Sequence, residues 1–313
     1  MAARLYDGPI VDPHIHLWDR ALKRHAWLDG ASEAPLARDQ MPADYWQAAA
    51  GQNVVATVHV EANWDAGDPY GEVAWLDGLD RSGGMAARYV AGAALADPAV
   101  PALLERYGAH PDVVGIREIL SWHPDRARRF VETRDRMADP AWRRGFARLA
   151  AEGLSFDLMI TPWQADLAVR LAADFPDTLF VLNHCGSPMD RDAEGLARWR
   201  DGLAALAAAP NVAVKISDPV AYDTDWTVES LRPVVLGCIE AFGTERAMFA
   251  SDYPVVALNA SFADIYAAFR TIVADFTADE QHALFAGNAQ RFYSLPDAAC
   301  SLRGRRRPIA PRR

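Results

Sequence analysis

The sequence predicts a single (β/α)8 TIM barrel, and two observations support this fold class. Short apolar runs alternate eight times with longer segments of helical period along the 313 residues. Several of the runs are near-continuous stretches of Val, Ile, Leu and Ala, which is typical of parallel strands buried on both faces. Repeated strand–helix alternation predicts a parallel sheet, and eight such units can close it into a barrel.

The predicted strands are, in chain order, residues 10–17, 54–62, 89–97, 113–120, 155–163, 179–186, 212–218 and 246–254. The predicted helices are residues 43–52, 71–80, 100–109, 140–153, 164–175, 193–209, 228–242 and 261–276. A further helix is expected to begin at Thr277, because Thr277 and Glu280 have the spacing of a capping box. An open doubly wound sheet is the alternative, but no glycine-rich phosphate-binding turn follows the first strand.

Two connections between these elements are long, residues 18–42 after the first strand and 121–139 after the fourth. Both follow the C-terminal ends of strands, which is where the active sites of such barrels lie. Because long loops in compact domains often serve as lids, we expect both segments to border a functional site.

Composition narrows the classes of function. The barrel is predicted to span residues 1–295, followed by a basic, solvated tail at 296–313. The formal net charge of -10 argues against a nucleic-acid surface, which needs a basic stripe. No apolar run could cross a bilayer, no signal peptide is recognisable, and three scattered cysteines cannot build a disulfide framework. We expect a cytoplasmic protein without nucleic-acid or membrane partners, and its oligomeric state, a homodimer included, stays open.

Histidines stand at the ends of two predicted strands. His14 and His16 close the first strand, and since alternate residues of a strand point to the same side, their imidazoles should face one space. His184 ends the sixth strand, in the apolar segment LFVLNHCG, where a histidine is costly unless its ring nitrogens find partners. Taken singly, each histidine is also compatible with a core residue bonded to the backbone.

Asp252 follows the eighth predicted strand, where a carboxylate can form a turn or act as a base at the barrel mouth. A closed barrel brings the ends of the first, sixth and eighth strands onto one rim. Three imidazoles and a carboxylate on this rim suit one divalent metal, zinc first and manganese second, with a position left for water. Without a metal, the histidines can instead donate hydrogen bonds to a developing oxyanion while Asp252 acts as general base.

The segments IVDPHIHLWD, LFVLNHCGSP, VAVKIS and RAMFASDYP resemble those of the amidohydrolase superfamily, which holds metal-dependent hydrolases of TIM-barrel fold. The likeness is greatest to the branch of fuconolactonases, rhamnonolactonases and pyrone-dicarboxylate lactonase. It implies that His14, His16 and His184 are the histidines of the site. It also implies that Asp252 is the base towards water and that Arg117 holds a substrate carboxylate or carbonyl. Some members of this branch act without a metal, so the resemblance leaves both mechanisms open.

The chain departs from the pattern of that family at several positions. Asn183 stands where Asp is usual, the segment KISDP replaces KLSG, and ASDYP replaces GSDWP. Lys215 lies in the seventh predicted strand, so no lysine is placed to become the carbamate that bridges two metals in some relatives. The resemblance therefore implies one metal ion at most.

Arg117 is a charged residue inside the apolar segment VVGIREIL. An unpaired charge is rarely buried, so Arg117 should pair with an acid such as Glu61 or Glu118, or recognise an anion. Because a guanidinium can bind a carboxylate through two hydrogen bonds, we favour recognition of a substrate carboxylate.

Other candidates for binding a small-molecule substrate, one that carries a carboxylate or several hydroxyls, lie after the second and fourth strands. His59 and Glu61 are predicted to share one side of the second strand, with Glu61 nearer the rim and able to accept hydrogen bonds from hydroxyls. Asn63 follows them, and Trp122 and His123 follow the fourth strand, where they would line the pocket.

These residues favour a hydrolase that opens a lactone, the cyclic ester of a sugar acid or of an intermediate in aromatic catabolism. A metal-dependent amidohydrolase or a non-oxidative decarboxylase on the same scaffold is the first alternative. A barrel that binds a small molecule or a partner protein without catalysis is the second.

Overall fold

The computed structural model describes residues 5–31 and 35–295, so the tail predicted at 296–313 lies outside the described residues. Eight parallel strands follow one another in a single sheet, in the order β1 to β8, which confirms the predicted fold class. The strands are β1 (Ile10–Ile15), β2 (Val54–Val60), β3 (Arg88–Gly92), β4 (Val113–Ile119), β5 (Ser155–Met159), β6 (Phe180–Leu182), β7 (Val212–Ser217) and β8 (Ala247–Ala250).

Helices follow the strands along the chain. They are α1 (Pro42–Ala48), α2 (Gly71–Asp77), α3 (Val100–Gly108), α4 (Pro140–Phe146), α5 (Ala165–Asp174), α6 (Ala193–Ala207), α7 (Val228–Phe242), α8 (Phe262–Ile272), α9 (Ala278–His282) and α10 (Asn288–Phe292). The capping box predicted for α9 is present, since Glu280 N donates to Thr277 Oγ1 and Thr277 N donates to Glu280 Oε2. Within the described part of the chain, no helix combines the length and the apolar character needed to cross a bilayer.

The chain after β8 pairs with β1 and closes the sheet. Asp252 N donates to His14 O at 2.9 Å, and His16 N donates to Tyr253 O at 2.7 Å. Ile15 and Tyr253 form a parallel bridge between these two hydrogen bonds. The seam of the barrel therefore lies at the same level as the histidines and the aspartate that the sequence singles out.

The lower end of the barrel interior is apolar. It is filled by a cluster that includes Val11, Val58, Val90, Val181, Ala213 and Met248. Tyr293, just after α10, is fully buried against this cluster from below. Water is thereby excluded from the lower end, and the polar side chains of the strands lie further up, towards their C-terminal ends.

The predicted boundaries extend too far at the C-terminal ends of some elements. β3 ends at Gly92, although the predicted strand continued to residue 97. The residues beyond it include the buried Leu95, because loops at this end also pack on the core, and composition does not show where strand pairing stops. The helix predicted at 140–153 ends at Phe146, and the remaining residues form turns.

The two long connections lie at the C-terminal end of the barrel, as expected. In the first, Trp27 Nε1 donates to Ala62 O at 2.7 Å, which places this loop over the end of β2. In the second, His123 and Arg128 both contact Asp190, a residue that follows β6. The second loop therefore reaches across the rim towards the loop that carries His184.

Candidate active site

The seam between β1 and β8 brings together three of the four residues predicted to form the site. Asp252 Oδ1 lies 3.2 Å from His14 Nε2 and 3.1 Å from His16 Nε2. All three residues are buried, with exposures of 6% or less. Ile15, between the histidines, packs in the hydrophobic cluster outside the barrel. The two imidazoles therefore share the inner face, as the alternation of strand residues predicted.

A backbone carbonyl holds His16 in one tautomer. Its Nδ1 lies 2.7 Å from Val60 O, and because a carbonyl only accepts hydrogen bonds, Nδ1 carries the proton. The lone pair of Nε2 in the neutral ring then points at Asp252 Oδ1, which is also an acceptor. Two acceptors at 3.1 Å require a proton or a cation between them.

His184 borders this group from the end of β6, but it lies further from the carboxylate. Its Nδ1 is 4.0 Å from Asp252 Oδ2 and 3.0 Å from Ser217 Oγ, and its ring centroid is 4.6 Å from that of His14. In the described residues, the one group whose potential ligand atoms all lie within 4.8 Å of one another is His14, His16 and Asp252. The role of His184 as a metal ligand stays a prediction.

Burial keeps His14 and His184 neutral. It lowers the pKa of His14 well below 6.5, with a further contribution from the charge of Lys215. It lowers the pKa of His184 to about 4, against the opposing charge of Asp252. Burial alone would raise the pKa of Asp252, but the attraction of His184, His16 and Arg117 outweighs it, and this pKa falls below its usual value. At neutral pH, His14 and His184 are therefore neutral beside the ionised carboxylate of Asp252.

This set of donors fits a divalent metal ion. Neutral imidazole nitrogens and carboxylate oxygens are the protonation states that metal ligands require. The bond from His16 Nδ1 to Val60 O is the kind of outer-shell contact that orients a metal-binding histidine. The buried His14 Nδ1 has no hydrogen-bond partner, so this ring is held by contacts at Nε2, on the side of the carboxylate. His14, His16 and Asp252 are the residues that would hold the ion.

Arg117 and Glu61 form a buried ion pair beside His14. Arg117 Nε donates to Glu61 Oε1 at 2.6 Å, and Nη2 donates to Glu61 O at 2.5 Å. Arg117 Nη1 lies 3.3 Å from His14 Nε2. The pairing of Arg117 with Glu61, one of the two roles considered for this arginine, is therefore present. The charge of the guanidinium is already balanced by a carboxylate of the protein.

His59 faces away from Glu61. Its Nε2 lies 3.1 Å from Glu72 Oε1 of α2, in the layer between strand and helix. Glu61 turns instead towards Arg117. The prediction that His59 and Glu61 share one side of the second strand was wrong, because β2 ends at Val60 and its alternation does not extend to Glu61.

The other predicted binding residues lie on the rim and connect its loops. Asn63 is exposed, and its N donates to Glu61 Oε2 at 2.7 Å. Trp122 N donates to Gln164 Oε1 at 2.8 Å. His123 is buried, with Nε2 at 3.1 Å from Asp190 Oδ1. Their roles in binding substrate stay predictions.

Asp218, directly after β7, belongs to the site although the sequence reasoning missed it. It is 3% exposed, its Oδ1 has no hydrogen-bond partner, and it is close enough to Asp252 for the two charges to interact. Burial and the charge of Asp252 raise the pKa of Asp218 well above its usual value, so we expect this carboxyl to be protonated beside the ionised Asp252. The sequence segment KISDP could have indicated this residue, because Asp218 follows β7 just as Asp252 follows β8.

Left-handed backbone conformations of non-glycine residues concentrate around the site. His184, Cys185, Ser187, Asp218 and Asp252 have φ values between 42° and 64°. L-residues adopt this region at a cost, and such strain is typical of functional sites, where it aims side chains that a regular strand would place elsewhere.

A cavity of about 580 Å³ opens beside the histidines, over the ends of β2, β3 and β4. Glu61 and Arg117 belong to its wall, and Arg117 also contacts His14, so the cavity and the His–Asp group are neighbouring parts of one rim. Trp64 and Phe130 contribute aromatic surface to the same cavity.

Several known proteins are similar to this chain in sequence or in structure. The sequence profile of a family described as amidohydrolase matches residues 11–295. An uncharacterized Sinorhizobium fredii protein, y4mH, is 38% identical, over 92% of this chain and 99% of that protein. An L-fucono-1,5-lactonase of Burkholderia multivorans is 31% identical, over 92% of this chain and 97% of the lactonase. A crystal structure of a Burkholderia multivorans amidohydrolase with bound zinc is 29% identical, with a TM-score of 0.78 over 92% of this chain and 100% of that one.

Proposed function

The chain belongs to the amidohydrolase family, and from this premise we propose that it opens the ring of a sugar-acid lactone by hydrolysis. The observation that carries the proposal is the apposition of Asp252 to His14 and His16 in a buried group able to hold a cation. The similarity to an L-fucono-1,5-lactonase over nearly the whole chain supports the choice of an ester bond in a sugar lactone.

Asp252 is the base in the proposed reaction. It takes a proton from the attacking water and later returns it to the alkoxide that leaves as the ring opens. A divalent ion bound by His14, His16 and Asp252, with zinc as our choice, would polarise the lactone carbonyl or lower the pKa of the water. His184, oriented by Ser217, lies beside the group, where its ring can contact the oxygen on which negative charge develops.

The Arg117–Glu61 pair favours a polyhydroxylated substrate over one that carries a carboxylate. The guanidinium already binds the Glu61 carboxylate, so a substrate carboxylate would have to displace a buried, hydrogen-bonded partner. Hydroxyl groups can instead donate to Glu61 and accept from Arg117 Nη1 without breaking the pair. This argument points to sugar-acid lactones rather than to lactones of aromatic carboxylates.

The test is a pH-stat assay of the purified protein, with each substrate's spontaneous hydrolysis subtracted. The panel holds L-fucono-1,5-lactone, other aldonolactones, a pyrone dicarboxylate, a cyclic amide and a hydroxybenzoate. We expect turnover of aldonolactones and none of the hydroxybenzoate. If the protein is inert on every lactone but releases carbon dioxide from the hydroxybenzoate or opens the amide, the lactonase proposal is wrong and the alternative reaction on this scaffold replaces it.

A further inference from the structure

We propose that the cavity beside the histidines is a second subsite, which holds an uncharged, polyhydroxylated group attached to the lactone. The natural substrate would then be a glycosylated aldonolactone, whose lactone ring lies at His14, His16 and Asp252 while its second sugar fills the cavity. This inference rests on the proposed function and names the class of substrate more narrowly.

The position of the cavity supports a continuous binding site. Its wall includes Glu61 and Arg117, and Arg117 Nη1 lies 3.3 Å from His14 Nε2. In the proposed binding mode, a group attached to a ring held at the histidines would reach the cavity past the buried Arg117–Glu61 pair.

The cavity has the size of a pocket for a small organic ligand. Its volume is about 580 Å³, in the middle of the range of roughly 300–1,000 Å³ that is usual for pockets of drug-sized ligands. The ring that reacts lies at the histidines, which do not belong to the cavity wall. The cavity is therefore additional space, and a second ring of the substrate would occupy it.

The charge of the cavity wall selects against anions. Four carboxylates line it, those of Glu61, Glu72, Asp97 and Glu118. Outside the wall, Arg136 lies 3.3 Å from Glu118 and His59 Nε2 lies 3.1 Å from Glu72. Among the described lining residues the one cation is Arg117, which is already paired with Glu61. A second carboxylate on the substrate would meet like charges without a free cation, whereas hydroxyl groups can donate to carboxylate oxygens. An ammonium group would have to approach the Arg117 guanidinium at the inner end, so an uncharged polyol suits the whole wall best.

Aromatic side chains supply the apolar part of the same wall. Phe130, on the loop 121–139, is 61% exposed, and Trp64 lies on the loop after β2. An exposed phenyl ring at the edge of a cavity is unfavourable in water and gains from being covered by the carbon face of a ligand. Pockets for organic ligands combine such surfaces with a few polar groups, as this wall does.

The first experiment compares matched pairs of lactones that differ by one neutral sugar, such as glucono-1,5-lactone with cellobiono-, maltobiono- and lactobiono-lactone. We expect kcat/KM to be about tenfold or more higher for at least one glycosylated member, since even one methylene group added in a hydrophobic pocket is worth about 10–200-fold. Phe130→Ala should reduce this ratio several-fold. Leu5→Ala is the matched control, since Leu5 is 50% exposed and does not line the cavity. Equal kcat/KM within every pair, or an unchanged ratio in Phe130→Ala, would overturn the subsite.

The second experiment separates the subsite from the lactonase reaction by measuring binding without turnover. Calorimetry compares cellobiose with glucose, and with the diamine formed by deacetylated chitobiose, in wild type and Phe130→Ala. Tighter binding of cellobiose that is lost in Phe130→Ala supports the subsite, even if every lactone assay fails. Binding of cellobiose no tighter than glucose, or weaker than the diamine, overturns it, even if lactones are opened.

Discussion

Two polar clusters inside the barrel differ in how completely their members are paired. The upper cluster consists of His14, His16, His184 and Asp252, and the lower cluster, one layer beneath, consists of Asp157, Asn183, Lys215 and Tyr293. In the lower cluster, Lys215 Nζ lies 2.6 Å from Asp157 Oδ2. Asn183 Nδ2 and Tyr293 OH donate to the same carboxylate at 3.0 and 2.9 Å. The two buried charges of this cluster, Lys215 and Asp157, therefore neutralise each other, and the one polar atom left without a partner is the uncharged Asn183 Oδ1.

The upper cluster is equally buried but is left incomplete. His14 Nδ1 has no hydrogen-bond partner. His16 Nε2 lies 3.1 Å from Asp252 Oδ1, and a proton or a cation is needed between these two atoms. Buried polar groups are normally paired. A buried group of side chains that still needs a cation or a proton is therefore a candidate binding site. The comparison teaches that a buried carboxylate does not by itself mark a site. Asp157 has the counter-charge of Lys215, whereas Asp252 faces imidazole nitrogens and can still bind a cation.

The largest effect expected from breaking the upper cluster is the loss of turnover. Asp252→Asn should reduce kcat by about 10²–10⁴-fold, because the amide cannot accept the proton of the attacking water. Circular dichroism should show a folded protein. The control is Asp275→Asn, at an exposed position away from the rim, which should retain wild-type kcat. A rate within error of wild type for Asp252→Asn would remove this residue from the mechanism.

Breaking the lower cluster should affect stability instead. Lys215→Met leaves the carboxylate of Asp157 buried without its counter-charge, and removing one partner of such a pair costs about 3–5 kcal/mol of unfolding free energy. Urea denaturation measures this loss. The double variant Lys215→Met/Asp157→Asn should recover much of it, because no unpaired charge remains. A loss below about 1 kcal/mol in the single variant would contradict the structural role of the pair.

The smallest effect concerns the pH dependence of stability in protein freed of metal by a chelator. The pKa of His184 is 6.5 in the unfolded chain and about 4 in the folded one. As the pH falls from 6.5 towards 4, His184 binds a proton in the unfolded chain but stays neutral in the folded protein. Unfolding free energy should therefore fall by about 1.4 kcal/mol per pH unit from this residue. Denaturation at pH 7.5 and 5 should show a smaller difference in His184→Gln than in wild type, and equal differences would contradict the shift.

The sequence predicted those residues of the candidate site that lie at the C-terminal ends of strands. His14, His16, His184 and Asp252 each follow an apolar run, and the closure of eight strands into a barrel brings those ends together. Asp218 was missed although it obeys the same rule, because its segment was considered only as a departure from the family pattern. Asp157 was missed because one acid within SFDLM gives no sign of the lysine it pairs with.

The sequence by itself determined the alternation of strands and helices, and with it the rim on which the histidines and Asp252 lie. The alternation and the rim both follow from the local pattern of apolar residues, which can be read from each segment of the sequence alone. Only the tertiary structure decided that Arg117 pairs with Glu61 and that His59 turns towards Glu72. Those choices depend on distances between residues far apart in the chain. They are set by strand register, by the residue at which each strand ends and by the burial of each charge, none of which is local.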